Sequence, residues 1–333
     1  MTSKKIAILG TGGWGTALAA LWGAQGTEII LWGHTPERVE TIARTRVNPE
    51  YLPGIELAKN VRLTSELGDC EAAELIVFVT PSVALREVAS LLATKVSNES
   101  AILLSCTKGI EHGTGMRMSE ILAEKFPTNP MAVLSGPNLA IEVARGLPSA
   151  TVLGCRDESV AEMLQATLGS SRFRVYTSHE ITGIELGGAL KNIFAIPAGV
   201  SDGFGFGDNS KAALVTRSLA ELLRVGVAMG GDARTFQGLS GVGDLIATCF
   251  SRHSRNRTLG EQLAKGKSLD EITRGTKTVA EGIPTSRSAF ECARRCGIET
   301  PIIDQVYAVL YEGKSAAQAL QELLGRDQKS ERG

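Results

Sequence analysis

The chain carries 333 residues, 43% of them hydrophobic and 21% charged, with a formal net charge of −1. That length suggests about two domains, and so even a charge balance excludes a global field calling for nucleic acid or an anionic membrane. Six cysteines in so long a chain do not make a disulfide framework, and the four histidines lie far apart with no metal-ligand spacing to a cysteine, so no metal site is expected.

The opening, MTSKKIAILG, holds four apolar residues before a glycine, too few for a signal peptide. No apolar run approaches the ~18 to 20 residues of a membrane span, and the expected compartment is the cytoplasm. KIAILG reads as a first strand, followed by the helical pattern TALAALWGAQG and a second strand, EIILWG. Further strand-like runs follow at ELIVFV, AILLSC, MAVLSG and SATVLG, with helical patterns such as SVALREVASLLATKV and MRMSEILAEKF between some of them. Alternation of this kind predicts a doubly wound, mostly parallel sheet with helices on both faces. RFRVYTS (172–178) is the last strand pattern. Beyond it only helical patterns appear, among them NSKAALVTRSLAELLRVGVAMG. The expected organisation is therefore a Rossmann-like α/β domain over 1–180 and an all-helical domain over 181–333. Cys292 and Cys296 share a helix face and read as small buried thiols rather than a redox pair.

Between the first strand and first helix stands GTGGWG, with Gly10, Gly12 and Gly15 in G-x-G-x-x-G order. In that context the pattern has a physical meaning. Gly10 permits the tight turn, Gly12 lets backbone approach a pyrophosphate, and Gly15 lets helix and strand pack closely. The helix start then offers unpaired N–H groups to the phosphates. About 20 residues further on, an NAD-specific site usually carries an acid for the ribose 2′-hydroxyl. Here that position falls near Gly33 and His34, and no acid occurs before Glu37. His34 and Arg38 are candidates for a 2′-phosphate, which favours NADPH or tolerance of both cofactors. Alternatively His34 merely caps the strand.

Ketone reduction with a nicotinamide needs a proton donor and charge stabilisation at the oxygen. Lys108 follows the strand AILLSC, where carboxyl ends of parallel strands face the crevice. Lys191 sits in GIELGGALKNIFAIPAG among small and apolar residues. It is either a snorkelling surface residue or a group placed for chemistry. In a dry site each lysine would depress the other's pKa, as would desolvation. Asp244, in GLSGVGDLIATC, could orient or compensate such a lysine. The cluster SRHSRNR brings Arg252, Arg255 and Arg257 just before the helical pattern TLGEQLAKG, and reads as a phosphate site or a solvated basic loop.

With these motifs in order, the sequence resembles the bacterial-type NAD(P)-dependent glycerol-3-phosphate dehydrogenases. The match runs from GTGGWGTALA through LWGH, VTPS, TKG, SGP, GGALKN, SDGFGFGDN, GVGDL, SRNR and VAEG to LYEGK. The resemblance implies reversible reduction of dihydroxyacetone phosphate to sn-glycerol 3-phosphate with NADPH or NADH, in support of phospholipid synthesis, and a homodimer. It implies Lys191 as acid/base, with Lys108 as its companion at cofactor and substrate, and Asp244, Ser254, Arg255 and Asn256 as substrate residues. Gly136, Asn138 and Ala140 belong to the SGP turn, Gly136 and Asn138 toward substrate and Ala140 toward cofactor. By the same resemblance Gly13, Trp14 and His34 match the nucleotide site, Arg255 stands where the family touches the cofactor, and Val279 and Glu281 are expected to close over it. Two departures stand out. Asn138 replaces the usual Thr or Ser, bringing an amide where the family has a hydroxyl, and Gly13 replaces Ser or Ala, leaving only backbone for the phosphates. The rival readings are a hydroxyacid- or ketopantoate-type reductase, which would recognise a carboxylate, and a nucleotide sensor without chemistry, which would not need both lysines and Asp244.

Overall fold

The computed structural model describes residues 5–274, 280–327 and 330. Its first part runs β1 (Lys5–Leu9), α1 (Gly13–Ala24), β2 (Glu28–Trp32), α2 (Pro36–Thr45), β3 (Val47–Asn48), β4 (Leu52–Glu56), β5 (Val61–Thr64), β6 (Leu75–Phe78) and α3 (Leu85–Ala93). It continues with β7 (Ile102–Ser105), α4 (Met118–Lys125), β8 (Met131–Ser135), α5 (Ala140–Ala144), β9 (Ser149–Cys155), α6 (Glu158–Leu168) and β10 (Phe173–Ser178). Eight strands form one sheet in the order β10-β9-β8-β7-β6-β1-β2-β5. All its pairings are parallel except β8 with β9, so the sheet is mostly parallel, as the alternation predicts. The central strands read as continuous apolar runs because both their faces are covered. In β1, Ile6 and Ile8 join a core containing Leu18 and Trp22, whereas Ala7 and Leu9 join the opposite core with Phe78 and Leu85. Period-two alternation thus feeds two layers from one strand.

After β10 the described residues form helices: α7 (Thr182–Gly203), α8 (Asp208–Ala228), α9 (Asp244–Phe250), α10 (Arg255–Ala264), α11 (Leu269–Arg274), α12 (Gly282–Arg295), α13 (Pro301–Tyr311) and α14 (Ala316–Leu324). None of the described helices is long and apolar enough to cross a membrane. Helix α7 is apolar or small nearly all round, and such a helix belongs inside a bundle. It touches α8, α9, α10, α12 and α13. Its crossing with α10 is a backbone-to-backbone approach: a Cβ on Gly199 would lie 1.8 Å from the Arg257 carbonyl oxygen, and one on Gly260 would lie 1.9 Å from that of Ile196.

One buried carboxylate ties α7 to the sheet layer. Glu185 accepts from the Ser119 amide at 2.8 Å, the Ser119 hydroxyl at 2.5 Å and Arg117 at 2.6 Å, at the start of α4. Burial raises its pKa, and the Arg117 charge works against that rise. The sequence patterns did not disclose the short antiparallel pair β3–β4, the edge strand β5 or α6. Of the two cysteines four residues apart, Cys292 is buried, while Cys296 is exposed past the end of α12.

Candidate active site

The glycine loop has the shape its spacing demands. Gly10 adopts φ +133°, and a Cβ there would meet the Val79 carbonyl oxygen at 2.8 Å. Gly15 presses on the Gly10 carbonyl oxygen, where a Cβ would come within 2.0 Å. Gly12 is the N-cap of α1, and a Cβ added there would meet nothing within 4 Å. No side chain caps this helix and no acid sits in its first turn. Its first N–H groups therefore lack intrahelical partners and face an opening, as a pyrophosphate requires. The loop thus fits a dinucleotide. Gly13 begins α1, half-buried Trp14 packs against the sheet core, and Ala140 begins α5 with its Cβ 3.9 Å from where a Gly13 Cβ would stand.

Asn48, which no sequence pattern singled out, holds this loop. It is fully buried, and its amide donates to the Thr11 carbonyl and to the Thr16 hydroxyl, both at 2.8 Å. Its Oδ1 accepts from the Tyr51 amide at 3.2 Å. Beyond β2, His34 is exposed, with Nε2 3.1 Å from the Thr35 hydroxyl. Arg38 does not project freely, for it is paired with Glu50 and lies over the Tyr51 ring.

The structure brings Lys108, Lys191 and Asp244 together from three elements. Lys108 follows β7 at the carboxyl end of the sheet. Lys191 is midway along α7, and Asp244 opens α9 directly after a single π-helical turn, Leu239–Gly243. Such turns recur at functional sites. The Asp244 carboxylate accepts from Lys108 Nζ at 2.6 Å on Oδ2 and from Lys191 Nζ on Oδ1. Lys108 also donates to the Gly136 carbonyl at 3.2 Å, and Lys191 to the Thr248 hydroxyl at 2.7 Å. Lys191 is buried and Asp244 nearly completely so. Burial, aided by the Lys108 charge and opposed by Asp244, pulls the Lys191 pKa down to about 8. Thr248 was missed although it stands one turn from Asp244, where i,i+4 residues share a helix face. Small residues make room here: a Cβ on Gly188 would fall 2.3 Å from the Ser135 hydroxyl and 3.6 Å from Lys108 Cδ.

The SRNR run is not a loop ahead of a helix. Helix α10 begins at Arg255 itself, with Ser254 as N-cap accepting from the Arg257 amide at 3.2 Å. The polar run concealed a capping signal. Arg252 is exposed, while Arg257 is engaged by Asp202 at 2.5 Å and Glu261 at 2.8 Å. Arg255 is exposed, yet the atoms packed around its guanidinium desolvate it enough to lower its pKa, with the Glu281 and Tyr51 charges opposing that fall. Asn256 is buried and knits helices together, donating to Asn192 Oδ1 and accepting from the Gly282 amide, both at 2.9 Å. Gly136, at φ +150°, backs onto Thr151. Asn138 turns its amide nitrogen to the Ala150 carbonyl at 3.0 Å. Glu281 accepts from the Ser82 hydroxyl at 2.6 Å and the Ser82 amide at 3.1 Å, joining α12 to the sheet layer, and burial raises its pKa. Val279 lies outside the described residues. Among the described residues, no group of three or more His, Cys, Asp or Glu is placed to hold a metal ion.

A dinucleotide-type glycine loop and two lysines bridged by one aspartate are the parts that an NAD(P)-dependent oxidoreductase acting on a CH–OH group requires, and the chain is such an enzyme. Family models described as the N-terminus and C-terminus of NAD-dependent glycerol-3-phosphate dehydrogenase match residues 5–161 and 180–321. The chain is 46% identical to glycerol-3-phosphate dehydrogenase (NAD(P)+) of Thermobifida fusca and 45% identical to that of Streptomyces griseus, each alignment covering 98% of both chains. A crystal structure of glycerol-3-phosphate dehydrogenase from Coxiella burnetii superposes with a TM-score of 0.94 at 36% identity, covering 97% of this chain and 99% of that one. The chain belongs to the NAD-dependent glycerol-3-phosphate dehydrogenase family.

Proposed function

We propose that the chain reduces dihydroxyacetone phosphate to sn-glycerol 3-phosphate, reversibly and with NADPH or NADH, and so supplies glycerophospholipid synthesis. The observation that carries this reading is the Asp244 carboxylate held between Lys108 and Lys191. When bound, the nicotinamide supplies the hydride. As the carbonyl oxygen gains negative charge, the Lys191 ammonium stabilises it and gives up a proton. Asp244 keeps Lys191 aimed and protonated despite its burial, and Thr248 fixes the ammonium's second direction. Lys108, tied to both Asp244 and the Gly136 carbonyl, lends a second positive charge from the sheet side.

At the other end of the substrate, Arg255 and the capped start of α10 offer a charged fork and N–H groups to the phosphate. Ser254 can still donate its hydroxyl proton while accepting from Arg257. Asn256 fixes this turn relative to α7 and α12. Gly136 and Asn138 border the ketone on the β8 side. On the cofactor, Gly10, Gly12, Gly13 and Gly15 take the pyrophosphate, Trp14 and Ala140 flank it, His34 faces the adenosine ribose, and Lys108, Arg255 and Glu281 border the nicotinamide half; Val279 is assigned to the cofactor by family resemblance alone.

We read residues 1–180 as the cofactor unit and 181–333 as the substrate and catalytic unit. The end of the last strand at Ser178 and the start of α7 at Thr182 support that division. Assembly as a homodimer and residence in the cytoplasm belong to the same reading. The test is NADPH oxidation, followed by absorbance, with dihydroxyacetone phosphate, with unphosphorylated dihydroxyacetone and with a 2-oxo acid. Rapid oxidation with the phosphorylated ketone alone is expected. Equal or greater activity on the 2-oxo acid, or none on any ketone, overturns the proposal.

A further inference from the structure

Where a second strand ends in a dinucleotide fold, a carboxylate suits a ribose 2′-hydroxyl and an arginine suits a 2′-phosphate. After β2 this chain offers no acid until Glu37, which is exposed. The structure brings one from elsewhere. Glu50, between β3 and β4, accepts from Arg38 Nε at 3.2 Å and from its terminal nitrogen at 3.4 Å. Both side chains are only about a quarter exposed, at 23% and 25%. The Tyr51 ring lies under the guanidinium, 5.0 Å from centroid to Cζ, and its phenol is hydrogen-bonded to Glu50. Tyr51 also sets this cluster on the lip of the glycine loop, because its carbonyl oxygen is 3.3 Å from where a Gly13 Cβ would stand. Arg255, from the helical layer, is close enough to act electrostatically on the Tyr51 phenol.

We propose that Arg38 and Glu50 together read the 2′ position of the adenosine ribose and set the balance between NADPH and NADH. The proposal rests on the reading that this cleft binds those cofactors. Arg38 offers a cation to a 2′-phosphate. Glu50 fixes the guanidinium and offsets its charge, and its own carboxylate is the acceptor that a 2′-hydroxyl requires. A paired Arg–Glu at this point penalises neither cofactor strongly. Removing either partner unmasks the preference of the other. Thermal melts of both variants, expected to stay cooperative with Tm within a few degrees of wild type, separate a change in cofactor reading from a loss of fold.

The experiment titrates wild type, Glu50→Gln and Arg38→Gln with NADPH and NADH by nicotinamide fluorescence, and competes each with 2′,5′-ADP and 5′-AMP. Glu50→Gln should tilt the ratio of affinities toward NADPH and Arg38→Gln toward NADH, each by roughly fivefold or more, the scale of a charge-assisted contact. The 2′,5′-ADP to 5′-AMP ratio should move in parallel, and added salt should shrink the gain in Glu50→Gln. The KM for dihydroxyacetone phosphate should not move. Ratios within twofold of wild type, shifts in the same direction, or equal loss of both cofactors overturn the proposal, the last by making the pair merely structural. Failure of wild type to bind either cofactor instead overturns the functional reading beneath it.

Discussion

Lys191 shows how one residue's surroundings set the charge state of a buried ammonium. A buried ammonium is disfavoured, a partner carboxylate restores it, and a neighbouring ammonium weakens it again, leaving a pKa of about 8. A group so poised can lose its proton near neutral pH, which a lysine at its ordinary value cannot do. With Lys191 in its proposed role as the acid, ketone reduction uses the protonated form, so kcat/KM should fall as pH rises through about 8. Alcohol oxidation needs the neutral amine and should rise across the same interval. Rates measured in both directions from pH 6 to 10 decide this, and parallel profiles would count against the assignment. Lys191→Met keeps much of the bulk but removes proton and charge, and should lower kcat by about 10² to 10⁴, the range for a lost general acid. NADPH affinity should survive in that variant. A kcat within threefold of wild type would remove Lys191 from the chemistry. The residue types at this site were legible in the sequence, since an isolated lysine among small residues invites the question. Their meeting was not, because Lys108 and Asp244 stand 136 residues apart and no local pattern spans that distance. Asn48, Glu50 and Tyr51 were missed for another reason. They act from a hairpin too short and too polar to leave a periodic signature.

At the scale of elements, the central strands were readable because strands buried on both faces must be apolar throughout. Strand β4, mostly exposed, carries Pro53 and Gly54 and gave no such signal. Helix α10 was placed a turn late, since charged residues in its first turn resemble a loop until Ser254 is recognised as the cap. A similar economy of caps links α8 to α13. Glu221 is buried on α8 and accepts from the Ile302 and Ile303 amides at 3.0 and 2.8 Å, at the start of α13. Burial pushes its pKa up to about 7, with the two amides pulling the other way. Between the ordinary value near 4.5 and about 7, the unfolded chain releases a proton that the folded chain keeps. Stability contributed at Glu221 therefore falls as pH rises through that window, by something on the order of 3 kcal/mol. Glu185 has a shift of the same sign, so the informative quantity is a difference. The fall in Tm from pH 5 to 8 should be smaller in Glu221→Gln than in wild type, and identical slopes would show that Glu221 titrates normally.

For the whole molecule, division of labour between a sheet layer and a helical layer gives a prediction about ligand-linked stability. The proposed pyrophosphate cradle belongs to the β1–α1 turn and Lys191 to α7, so cofactor alone should stabilise the protein. A hundredfold excess over Kd contributes about 2.7 kcal/mol, enough to raise Tm by several degrees. Lys191→Met should show the same NADPH-induced rise, and a rise lost in that variant would mean the two layers do not bind separately. Composition and charge had already excluded nucleic acid as the target of a global field, and the alternation of patterns had already implied both layers. Their joining through Glu185 and through Ser82–Glu281 had no counterpart in the sequence, because each contact unites residues remote along the chain. The crossing of α7 and α10 carries a consequence for the protein's history. Gly199 and Gly260 each abut the other helix's backbone with no space for a methyl group. Backbone, unlike a side chain, cannot be mutated out of the way, so no single later substitution can compensate for losing either glycine. Lineages descending from this sequence therefore inherit this crossing as a fixed point.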